Sequence, residues 1–166
     1  MLAGSVSLQE LEQFYEREGK QQRESEVSRL GRALRLFEEG LRVPPLHAFL
    51  SMCLVLETIY TDRARGGEMT HKLATRLART LGKHSPFPKR EEFYKLAKNV
   101  YRERSEIVHG TRLIHEDKPD FRDAFTLARE SLQTILRDQD LLRVFGVEGN
   151  ELTVARHFRK LDIGGD

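Results

Sequence analysis

The stretch "EEFYKLAKNVYRERSEIVHG", residues 91–110, decides how the rest of the chain reads. Phe93, Leu96, Ala97, Val100, Ile107 and Val108 recur at helical spacing, and Gly110 is free to take the left-handed conformation that ends a helix. Two residues break the apolar pattern. Arg104 falls between Val100 and Ile107, on the side that should face a core, and His109 is the last residue before the glycine.

Working outward, the same 3.6-residue period returns in every long segment. Val27, Leu30, Leu34, Phe37 and Leu41 form one helix face, closed by Gly40 and the Pro44–Pro45 pair, which in turn opens a second helix. That second helix carries Leu46, Leu50, Cys53, Glu57 and Tyr60 on its stripe, with Phe49, Leu54 and Leu56 alongside. Residues 68–81 place Met69, Leu73, Leu77 and Leu81 together and stop at Gly82. A fifth helix runs from about Asp120 through Phe121, Phe125, Ala128, Leu132 and Ile135 toward Phe145, and a short sixth carries Val154, Phe158 and Leu161. No period-2 alternation competes, so the expectation is an all-α fold, an up-and-down helical bundle of four to five main helices with short terminal helices. Residues 1–26, with a weak apolar spacing followed by "EREGKQQRESE", are expected to be an arm, and 27–166 the helical domain.

Composition narrows the class. The chain has 166 residues, 39% hydrophobic and 33% charged, which suits one globular domain with solvated helix faces. Net charge is +2, yet 20 of the 28 basic residues are arginine, the side chain that grips phosphate bidentately. The balance permits a nucleic-acid partner without requiring one. Cys53 is the single cysteine and lies in an apolar run, so it reads as a core residue of a reducing compartment. No stretch approaches a membrane span and no leader pattern opens the chain, so a cytoplasmic protein without a membrane partner is expected.

Charge on a core-facing stripe is the chemical signal. Glu57 lies between Cys53 and Tyr60 just as Arg104 lies between Val100 and Ile107, and an isolated buried charge is too costly to persist. The two are therefore expected to meet, with Arg76, at the edge of the third stripe, as a third member. A purely structural ion pair is the alternative. Arg104 and His109 are roughly 140° apart on a regular helix, so they converge only if the helix ends at His109 and lets it turn back. A metal site is the weaker reading: Glu68/His71 and Glu106/His109 have the Glu-x-x-His spacing of di-iron bundles, but Arg102 and Arg104 would repel a cation. No cofactor and no metal are expected. His47, His84, His115 and His157 read as surface or loop histidines, the "RHFRK" run as a solvated face, and Tyr94 and Tyr101 as packing residues.

"ERSEIVHG", preceded by "FYKLAKNVY" and further upstream by "LETIYTD" and "EMTHKLATRLARTLG", resembles the HEPN superfamily of small α-helical domains, in particular its Apea-like branch, over roughly residues 27 to 140. The resemblance implies a homodimer in which two Arg-x4-6-His motifs face one cleft that, in active members, cleaves RNA without metal. Carried onto this sequence, Arg104 and His109 match the catalytic motif, and Glu57, Arg76 and Ser105 match or neighbour its supporting positions. Ser105 stands where many active members carry Asn, Asp or His, and Thr111 stands where one toxin subgroup carries a modifiable tyrosine. The implied function is a metal-independent endoribonuclease using 2′-hydroxyl attack at a composite dimer site, with RNA and a regulatory partner protein as partners and defence against foreign nucleic acid as the family analogy. The alternative is a non-catalytic dimerisation or sensing module that binds RNA, nucleotide or a partner protein.

Overall fold

The computed structural model describes residues 28–62, 69–83, 87–110, 121–146 and 148–163, so the arm expected over 1–26 lies outside the described residues. Those residues form seven helices and no strand: α1 (Arg29–Gly40), α2 (Pro45–Tyr60), α3 (Met69–Leu81), α4 (Phe87–Val108), α5 (Phe121–Arg137), α6 (Gln139–Phe145) and α7 (Glu151–Ile163). The all-α expectation holds.

Paired contacts give the helix directions. Arg29 at the start of α1 donates to the Thr58 and Thr61 carbonyls at the end of α2, while Gly40 at the end of α1 lies against Ser51 and Met52, so the two helices are antiparallel. A Cβ on Gly40 would come within 2.5 Å of Met52 Cε and 2.8 Å of Ser51 Cβ, so this glycine permits close helix approach rather than a turn. His71 meets Tyr94, and Arg90 donates to the Gly82 carbonyl, so α3 and α4 are also antiparallel. Tyr101 donates to the Cys53 carbonyl (2.9 Å) and Arg104 meets Glu57, in the same order along both chains, so α4 runs parallel to α2. That alternation is the up-and-down bundle.

The central helix differs from its expected stripe. Its buried face is Phe49, Met52, Cys53, Val55, Leu56, Ile59 and Tyr60, whereas Leu54 is 43% exposed and Leu46 and Leu50 are half-buried. The stripe through Leu46, Leu50 and Glu57 runs along the border of the buried arc. α2 is apolar nearly all round, so several phases fit its sequence and only packing against α1, α4 and α5 selects one. On α4, Ala97, Val100 and Tyr101 are buried, and Val108, expected on the apolar face, is 53% exposed.

The fifth helix stops at Arg137 instead of running on to Phe145. Asp138 is the cause: its carboxylate accepts from the Asp140 and Leu141 amides and starts α6. Lys83 holds the same carboxylate at 3.0 Å. Burial pushes the Asp138 pKa up, but the Lys83 hydrogen bond and the two amides outweigh it and leave the group below its ordinary value. Asp138→Ala should cost about 1 kcal/mol, read as a lowered urea midpoint at unchanged m-value.

The C-terminal helix packs its expected stripe, Val154 and Phe158, into the core and keeps most of "RHFRK" on its solvated face. Phe158 is 1% exposed and packs with Phe145 at 6.1 Å between ring centroids. His157, expected at the surface, is half-buried edge-on to Phe145, and its buried Nε2 has no hydrogen-bond partner. Burial, reinforced by Lys160 and Lys83, holds this imidazole below its usual pKa. Only Arg156, Arg159 and Lys160 of the run are solvated.

Candidate functional site

Glu57 and Arg104 meet, as their positions on two stripes require. Arg104 Nη2 lies 3.2 Å from Glu57 Oε1, with side-chain exposures of 27% and 18%. The contact is coulombic: the approach misses hydrogen-bond geometry, and the buried Oε1 accepts from no donor. Burial raises the Glu57 pKa, and Arg104 only partly offsets that rise. The carboxylate is thus held with one charged neighbour and an unused acceptor.

Cys53 and Tyr101, beside this pair, are buried. Cys53 is 1% exposed, and burial, with Glu57 adding to it, pushes its thiol up to about 12. Tyr101 is fully in the core, its hydroxyl fixed on the Cys53 carbonyl and its pKa raised by burial. Tyr94 is half-buried and bonded to His71 Nδ1 at 2.9 Å. Both tyrosines pack, as expected.

His109 sits past the last helical residue. Its amide donates to the Ser105 carbonyl at 3.0 Å, and Gly110 follows with φ +67°, the left-handed stop the sequence calls for. The imidazole is exposed and has no hydrogen bond or ion pair to another described residue. Ser105 is exposed as well. Within one chain, then, α4 presents a half-buried guanidinium and, beyond it, an open imidazole, without joining the two.

Arg76 belongs to a different cluster. It is 2% exposed, not at the edge of its stripe but inside the fold. Its guanidinium donates to Asp162 (2.8 and 2.7 Å), Asp62 (3.0 Å) and the Tyr60 carbonyl (2.9 Å), and its Cζ lies 4.1 Å above the Phe158 ring. It ties the end of α2 to α7 and makes no contact with Arg104. Nothing in the sequence reading singles out Asp62 or Asp162, because neither interrupts an apolar stripe: Asp62 lies just past the end of α2 and Asp162 on the exposed side of α7.

A second polar feature is lined in part by Glu57. A cleft of about 430 Å³ lies between α1 and α2, walled by Arg29, Arg32 and Arg35 on α1 and by Glu57, Thr58 and Thr61 on α2. The signal was present as three arginines spaced three apart. Among the described residues no group of three His, Cys, Asp or Glu side chains could hold a metal ion, and Glu68 of one Glu-x-x-His pair lies outside them.

Fold and site together define an all-helical bundle with an acid–guanidinium seam between two parallel helices and a histidine at the seam's open end. No family model, curated protein or solved structure matches the chain. Among the described residues no helix is long and apolar enough to cross a membrane.

Proposed function

We propose that this chain is a metal-independent endoribonuclease of HEPN type, acting in the cytoplasm as a homodimer. The observation that carries the reading is the placement of Arg104: held half-buried by Glu57, five residues before an exposed imidazole that precedes a left-handed glycine. RNA brings its own nucleophile, the 2′-hydroxyl, so the protein has only to move protons and steady charge on the phosphate. His109 takes or gives the proton, and Arg104 holds the phosphate through its transition state. One histidine cannot easily perform both transfers, and a second copy across a twofold axis supplies the other. Exposed Val108, next to His109, offers that copy an apolar contact. A partner protein would regulate the enzyme.

Purified protein should cut single-stranded RNA in excess EDTA and leave 2′,3′-cyclic phosphate ends, detected by mass spectrometry. Cleavage that requires added magnesium, or linear 3′-hydroxyl products, would rule the mechanism out. A second reading, a non-catalytic module binding RNA, nucleotide or a partner protein, draws support from the neutralisation of Arg104 by Glu57 and from Ser105 after it. RNA binding without turnover in the same assay decides for it.

A further inference from the structure

The cleft between α1 and α2 carries cations that the fold does not use. Arg29 is committed to the Thr58 carbonyl, at 3.1 Å, and to the Thr61 carbonyl. Arg32 is exposed and Arg35 half-buried, and neither has a hydrogen bond or ion pair among the described residues. They are i, i+3 neighbours on one helix face, about 5–6 Å apart at Cβ, close enough for both guanidinium forks to reach one phosphate.

The acids lining the cleft do not cancel them. Glu57 is countered by Arg104, Asp62 by Arg76 at 3.0 Å, and Glu151 has a partner of its own. Glu39 remains as the exposed acid on the same helix. A long polyanion lying along this cleft would have to pass these carboxylates, and only the Arg32 and Arg35 corner welcomes a phosphate. The carboxylates of Asp62 and Glu39 instead suit the hydroxyl donors of a small ligand. A cleft of about 430 Å³ is of the size that takes such molecules.

We propose that this cleft binds a small phosphomonoester bearing hydroxyl groups, its phosphate held by Arg32 and Arg35 and its hydroxyls facing the acids of the cleft. The site goes beyond RNA cleavage and does not depend on it. Isothermal titration with ribose 5-phosphate as probe should give one saturable site that inorganic phosphate displaces and that ribose alone does not occupy. Arg32→Gln and Arg35→Gln should each weaken it by at least about tenfold, the effect of one lost charge-assisted contact. Arg35→Lys, which keeps the charge and loses the fork, should fall between. Coincident thermal melts tie the loss to the side chains. No saturable heat up to about 10 mM, a free energy too small for a formed site, overturns the proposal. So does undiminished binding in both glutamine variants, or single-stranded RNA binding through these arginines while ribose 5-phosphate does not.

Discussion

Replacing Arg76 by methionine should lower the thermal unfolding midpoint by about 6–12 °C, a loss of about 3 kcal/mol in a domain of this size. Methionine keeps the unbranched stem of Arg76 but loses the guanidinium whose Cζ lies over the Phe158 ring. What disappears is the donor set: the Tyr60 carbonyl loses a buried partner, and Asp62 and Asp162 lose the charge between them. Both aspartates are about a third exposed (33% and 31%) and can take up water, which places the cost at the lower end for a broken buried pair. Burial by itself would weaken the hold of Arg76 on its proton, but the Asp162 and Asp62 contacts reverse that, so the guanidinium stays charged throughout.

The same pair sets a pH dependence. The Arg76 hydrogen bond holds the Asp162 carboxyl below its ordinary value of 3.8. Native protein therefore binds that proton less readily than unfolded chain, and the stabilisation is complete above pH 3.8 and is lost as pH falls through the lower native value. The methionine variant lacks this contribution, so its melting curves and those of wild type should converge in acid. A gap that stays constant down to pH 2 would show that Asp162 does not carry it.

Arg76 also marks where sequence reading stops. The helices, the Gly110 stop and the meeting of Glu57 with Arg104 were legible because each depends on local period: an inward charge on one amphipathic stripe demands its opposite on another. The phase of α2 was not legible, since a helix apolar on most sides lets tertiary packing choose its face. The break at Asp138 was hidden because a capping aspartate in an otherwise continuous apolar pattern looks like a solvated residue. His157 was misread for a related reason: flanked by basic residues, it resembles part of a surface face until Phe145 packs against it. Whether Arg104 and His109 act together depends on a second copy, which no single-chain pattern encodes.

On the proposed reading, His109→Ala should lower the RNA cleavage rate by about 10²–10⁴-fold, the span of one lost general acid or base. The variant should fold normally, because the imidazole is exposed and touches no described residue through a hydrogen bond or ion pair. Arg104→Ala is a poorer probe, since it strands half-buried Glu57, whereas Arg104→Lys keeps a cation opposite Glu57 and removes the bidentate fork. Its rate should fall while its melting midpoint holds. Differently tagged copies then separate the composite site from a single-chain one. If both proton transfers use histidines from the two chains, a heterodimer of one wild-type and one His109→Ala copy should be nearly as slow as the double variant. If each chain works alone, it should retain half the wild-type rate, and the physical reason for dimerisation would disappear even though cleavage survived.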